Sequence, residues 1–147
     1  MIVPHNAYRH AFEDLVASQR PEWAITSIFN GPTSLASGQK ALRGFHARLD
    51  RALLGRNWQR QPAEQRSFCI WQPEHIASNL HYHGCMRIPQ GKEEKFLTIA
   101  QGIWKKLVPS GAMDINPITD ISGWAHYITK EAVEGFIIST EFSTIYS

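Results

Sequence analysis

SFCIWQPEHIASNLHYHGCMRI, residues 67–88, decides how this chain is read. Two runs rich in β-branched and aromatic residues flank a short polar break at residues 76–79, and that pattern predicts a β-hairpin. Pro73 cannot donate a backbone hydrogen bond, so the first strand is irregular or lies at an edge there. In the second strand His81 and His83 stand two apart, so both imidazoles point to one face while Tyr82 points to the other. Folding the hairpin brings Glu74, at the end of the first strand, level with them. His75 faces the other way in a regular strand, a choice that a bulge near Pro73 would reverse. Gly84 follows the pair directly and removes side-chain bulk beside it.

Outward from the hairpin, Leu35, Leu42, Phe45, Leu49 and Leu53 recur at helical spacing over 35–54, with Gly55 as a stop. Phe96, Ala100, Ile103 and Leu107, with Leu97 and Trp104 beside them, mark a second helix over 92–108 that ends at Pro109. Residues 22–30 (EWAITSIFN) read as a strand stopped at Asn30-Gly31-Pro32, and 112–119 (AMDINPIT) as an extended segment. Strand-helix-hairpin-helix-strand predicts an α+β fold of the ferredoxin-like (RRM-like) kind, a central antiparallel sheet with helices packed on one face. A short amphipathic helix over 5–19 precedes this core. A third helix from about Asp120 to about Glu134 and a final strand in GFIIST follow it.

At 147 residues, 43% of them hydrophobic and 19% charged, the chain has the size and composition of one globular domain. No apolar run approaches the ~20 residues that span a bilayer. The N-terminus lacks a signal peptide's apolar core, so the expected location is cytoplasmic with no membrane partner. Cys69 and Cys85 cannot build a disulfide framework and suit a reducing compartment. The net charge of +2 says little, but its distribution says more. Residues 40–66 hold seven bases (Lys40, Arg43, Arg48, Arg51, Arg56, Arg60, Arg66) against two acids, Asp50 and Glu64. Lys40, Arg43, Arg48, Arg51, Arg56 and Arg60, with Trp58 among them for stacking, suit a nucleic-acid strand.

Two imidazoles and a carboxylate leave half an octahedron open for water and phosphate oxygens, which suits Mn²⁺ or Mg²⁺ held by Glu74, His81 and His83. Cys85 shares the face of His81 and His83, and Cys69 stands on the partner strand, so a structural zinc site is a competing reading. The third helix, GWAHYITKEAVEG, carries its apolar stripe on Ile121, Ala125, Ile128 and Ala132. Tyr127 falls away from that stripe, on the side of Lys130. A phenol of pKa ~10 is a weak nucleophile at neutral pH. A cation one turn away and a metal-polarised phosphate are what would let it react.

His-hydrophobic-His in a strand, an acid seven positions upstream and Tyr-x-x-Lys on a later helix together resemble the HUH endonuclease superfamily. Within it they resemble the single-tyrosine rolling-circle replication initiators (Rep proteins) and related transposon enzymes. WAITSIFN is similar to the family's first motif, and the three motifs span residues 22 to 131. The resemblance implies a metal held by Glu74, His81 and His83, Tyr127 as nucleophile and Lys130 as an assisting cation. It implies sequence-specific nicking and joining of single-stranded DNA, or of a DNA hairpin at an origin or element end, through a 5′-phosphotyrosine. No second tyrosine lies one turn from Tyr127, unlike the two-tyrosine members. The chain ends soon after the tyrosine helix, so residues 1–147 read as one catalytic domain, whole or excised from a longer protein. A non-catalytic nucleic-acid-binding domain with structural zinc, and a phosphoesterase working through activated water, are the alternatives.

Overall fold

Strand parity and helical periodicity assemble as a five-stranded sheet between two layers of helix. The computed structural model describes residues 5–129 and 137–140. In chain order the elements are α1 (His5–Gln19), β1 (Trp23–Ile28), α2 (Leu35–Leu54), β2 (Phe68–Glu74), β3 (His81–Arg87), α3 (Glu93–Leu107), β4 (Ala112–Pro117), α4 (Ile121–Thr129) and β5 (Ile137–Ile138). Two single-turn 3-10 helices, Trp58–Arg60 and Ala63–Gln65, join α2 to β2. The sheet order is β4-β1-β3-β2-β5, and every neighbouring pair is antiparallel. The part from β1 to β4 is the ferredoxin-like core; α1, α4 and β5 are added to it.

The hairpin forms in the register its parity requires, with Glu74 opposite His81, Gln72 opposite His83 and Trp71 opposite Gly84. Among the described residues β5 pairs β2 at Ile70 and Trp71, so Pro73 lies beyond that described pairing, where a missing N–H is tolerated. Helix α2 starts where Ser34 accepts a hydrogen bond from the Ser37 N–H (3.1 Å). It stops at Gly55, whose φ of 92° lies in the region that favours glycine.

The sheet buries both faces over β2 and β3. On one, Ile25, Trp71, Tyr82 and Met86 meet Leu42, Phe45 and Leu49 of α2 and Phe96, Ala100 and Trp104 of α3. On the other, Phe68, Ile70 and Cys85 meet Phe12 and Val16 of α1 and Ala125 and Ile128 of α4. This corrects the expectation of helices on one face only. The two crossover helices share a face, as right-handed connections require. Helices α1 and α4 have apolar stripes of their own, and these close the opposite side. Ile121, expected in the α4 stripe, is 38% exposed at the helix start. Ala132 and Lys130 lie outside the described residues, as does the start of the final expected strand.

Gly84 serves the first of these cores rather than the histidine side. A Cβ there would stand 2.6 Å from Cys69 Sγ, 2.8 Å from the Trp71 ring and 2.9 Å from Ile25. Beneath α2, Trp71 Nε1 donates to His46 Nε2 (2.9 Å), His46 Nδ1 meets Ser67 Oγ (2.9 Å), and the Ser67 N–H donates to Asp50 Oδ1 (2.8 Å). His46, Asp50 and Ser67 are all buried, and the chain of bonds satisfies them. Both His46 nitrogens are engaged, so the trio is a structural network and not a nucleophile with its base.

Candidate functional site

The outer end of the β2–β3 hairpin gathers three imidazoles around one carboxylate. Glu74 Oε2 contacts His83 Nε2 and stands 3.5 Å from His81 Nε2, and Glu74 Oε1 stands 3.5 Å from His75 Nε2. Glu74 thus meets His81 and His83 of the expected set, but the group whose donor atoms are mutually close enough to share one ion is Glu74, His75 and His81, with His83 touching the carboxylate from its buried side. His75 was expected on the opposite face. Its φ of 55° breaks the strand's alternation and swings the imidazole back, to 5.0 Å between ring centroids from His81. Glu74, His75 and His81 each place one donor atom within 4.8 Å of the others. Ligands sharing one ion at ~2.1 Å stand about 3–4 Å apart, so small rotamer adjustments fit this cluster to a divalent cation.

His83 is the anchored member. Its ring is buried, and Nδ1 lies 3.1 Å from the Thr26 hydroxyl of β1, directly opposite in the register. Burial lowers the His83 pKa below the ordinary imidazole value, and the contact with Glu74 works against that shift. The neutral ring is the form that can ligate a metal, and Thr26 at Nδ1 fixes which nitrogen remains available.

Helix α4 brings the aromatic component. Trp124 Nε1 donates to the Gly84 carbonyl (3.1 Å), tying α4 to β3. The Trp124 ring meets His83 edge-on at 5.8 Å. One turn later Tyr127 stacks on Trp124 (5.6 Å, 20°) and meets His83 edge-on at 5.9 Å. Tyr127 is 48% exposed, so its ring is placed at the cluster while about half of it faces solvent. Reading the helix by its apolar stripe located Tyr127 but missed Trp124, although the i, i+3 spacing of the two aromatics was the available signal. It also missed Thr26, and Tyr8 of α1, whose hydroxyl donates to Gln72 Oε1 beside His83.

Two expectations are corrected. Cys69 lies in the core beneath α2 and α3, across the sheet from the histidines. Cys85 does share their face, but it is fully buried in the α1/α4 core, where burial pushes its thiol up to about 12. Such a thiol is a poor zinc ligand, and no cysteine joins the metal-capable cluster among the described residues. The basic stretch is the second correction. Lys40, Arg43, Arg48 and Arg51 belong to α2, which packs on the sheet face away from the histidines. Arg56, Trp58 and Arg60 follow at its end, and Trp58 carries the Arg66 guanidinium over its ring at 5.7 Å. The α2 cations and Tyr127 therefore lie on opposite sides of the sheet.

Among the described residues no helix is long and apolar enough to cross a membrane. No family model, no curated protein and no solved structure matches this chain. Fold and geometry alone define its class: a ferredoxin-like α+β domain whose sheet carries a His/Glu cluster beside an exposed tyrosine.

Proposed function

We propose that this domain nicks and rejoins single-stranded DNA through Tyr127, in the manner of the HUH endonucleases that its motifs resemble. The observation that carries the reading is the placement of the exposed Tyr127 ring against His83, the buried member of the Glu74 cluster. Two groups 44 positions apart in sequence, each unremarkable by itself, converge at one end of the sheet.

Glu74, His81 and His83, with His75 in reach, would hold a Mn²⁺ or Mg²⁺ ion, which would supply Lewis-acid polarisation of the scissile phosphate. The chain's own residues do the rest. Glu74 and Thr26 orient the His83 ring, and Trp124 holds Tyr127 in place. The Tyr127 oxygen attacks phosphorus in line and gives up its proton to solvent water. The bond from phosphorus to the 3′ oxygen breaks, and that oxygen takes a proton to leave as a free 3′-OH. The 5′-phosphotyrosine conserves the energy of the phosphodiester, so the reverse step rejoins or transfers the strand without a nucleotide cofactor. Lys130 is proposed to steady the charge at the phenol or phosphate. Such chemistry serves rolling-circle replication or a related strand transfer in the cytoplasm.

The test is covalent capture. Incubation with Mn²⁺ and a pool of single-stranded oligonucleotides is expected to give a protein-DNA band that survives denaturation, and Tyr127→Phe to abolish it. Full adduct formation by Tyr127→Phe, or cleavage in excess EDTA, overturns the reading. Cleavage without an adduct assigns the site to activated water instead.

A further inference from the structure

Beside Tyr127 the sheet is open. Helices α1 and α4 cover β2 and β3, but among the described residues none covers β1 and β4 on this face, where Asp114 and Asn116 are exposed and Thr26 half-buried. A cleft of about 330 Å³ lies there. Ala24, Thr26 and Asn116 form its floor, and Trp124 and Tyr127 form one wall, with Asp120 at the rim. Thr26 and Tyr127 belong both to this cleft and to the surroundings of His83, so whatever fills the cleft lies next to the reacting phosphate of the proposed reaction.

The chemistry of the lining selects the occupant. The volume is at the small end of the ~300–1,000 Å³ of small-molecule sites, enough for one heterocycle and not for two. The stacked pair of Trp124 and Tyr127 bounds one side with aromatic surface, which accepts a flat π-system. The backbone phosphates are disfavoured within it. Asp120 stands at the rim, its Oδ1 fixed by a hydrogen bond from the Gly123 N–H at 3.0 Å, and Asp114 projects from the same face of β4. Two carboxylates repel an anion and attract the hydrogens of an amine.

We infer that this cleft takes one unpaired adenine of the bound strand, stacked beside Trp124 and Tyr127 and read by Asn116. The inference rests on the strand-nicking reading for its substrate. The Asn116 carboxamide offers one donor and one acceptor side by side, the match for the ring nitrogen and amine of adenine. Read on its N7/N6 edge, adenine turns an amine toward Asp120 where guanine turns O6 and thymine O4, and cytosine offers less surface to stack. Asn116 is thereby a specificity-determining residue. Neither Asn116 nor the cleft figures in the metal cluster, and α2 with its basic residues takes no part.

The experiment uses the whole chain in EDTA, so that binding is read without cleavage. The probes are a fluorescein-labelled oligothymidine and three versions of it carrying one central adenine, cytosine or guanine; the strand can slide until that base meets the cleft. Fluorescence anisotropy is expected to show the adenine strand binding about tenfold tighter than the others. Asn116→Ala, at an exposed position, is expected to shrink that ratio to under about twofold while circular dichroism stays unchanged. Equal affinities in the wild type, preference for another base, or an adenine preference that survives Asn116→Ala overturns the inference. The nicking reading is judged separately, by the Mn²⁺-dependent adduct of the wild type. An adduct without base preference removes only the adenine site; preference without an adduct keeps the site and removes the nuclease.

Discussion

Thr26 Oγ1 of β1 lies 3.1 Å from His83 Nδ1 of β3, across a ladder in which the two residues are direct partners. The consequence is a ring whose Nε2 is aimed at Glu74 by the strand pairing itself rather than by a loop. With a cation at Nε2, Nδ1 carries the proton and donates it to the threonine oxygen. Thr26→Val keeps the shape and removes that acceptor. It is expected to weaken Mn²⁺ binding about 10–100-fold, the usual effect of losing such an outer partner. Calorimetric titration with Mn²⁺ measures it, and an unchanged Kd would show that Thr26 does not orient the ring.

His75 and His83 stand in contrast, although both touch Glu74. His83 is buried and held at both nitrogens, whereas the His75 side chain is 50% exposed and must be ordered when a metal arrives. His83→Ala is therefore expected to abolish measurable Mn²⁺ binding. His75→Ala should cost roughly tenfold, the order of one extra mobile side chain to immobilise. Equal losses in the two variants would show that His75 is as preorganised as His83.

The residues that were legible in the sequence are those whose placement follows from local parity. His81 and His83 share a face because strands alternate, and Glu74 joins them because the hairpin turn fixes the register. The bounds of α2 follow from Leu42, Phe45, Leu49 and Gly55. Three features depended on something non-local or on a single dihedral angle. The positive φ of His75 leaves no mark on periodicity. The role of Gly84 is set by Cys69, Trp71 and Ile25 on the far side of its strand. The position of the α2 cations required combining two rules. Tyr82 points away from the histidines, and both crossover helices cover the side to which Tyr82 points. Each fact was in the sequence, but only their conjunction puts Lys40 and Arg48 across the sheet from Tyr127.

Gly84→Ala tests that core directly. The added methyl meets Cys69 Sγ, the Trp71 ring and Ile25 at 2.6–2.9 Å, all of them buried side chains with little room to retreat. Overpacking of this kind costs about 1–3 kcal/mol. Urea denaturation is expected to show a lower midpoint with an unchanged slope. A midpoint equal to wild type would mean that the sheet shifts freely at β3, and that His83 beside it is not rigidly placed.

The buried network under α2 predicts two opposite pH dependences. Burial raises the Asp50 carboxyl from 3.8 to about 6 and lowers His46 from 6.5 to about 3. The folded state therefore holds the Asp50 proton more tightly than the unfolded chain does. The associated stability is complete below about pH 4 and is lost as pH rises through about 6. For His46 the folded state favours the neutral ring, so its contribution is complete above 6.5 and is lost as pH falls toward about 3. Between about pH 4 and 6 the two slopes, each at most about 1.4 kcal/mol per pH unit, oppose and largely cancel in the wild type. Single substitutions remove one slope and expose the other. Relative to wild type, Asp50→Asn should gain stability as pH rises from 4 to 6, and His46→Gln should lose it over the same interval. Urea midpoints at pH 4, 5 and 6 in EDTA decide the matter. Parallel curves for wild type and both variants would mean that water reaches Asp50 and His46 and that burial perturbs neither.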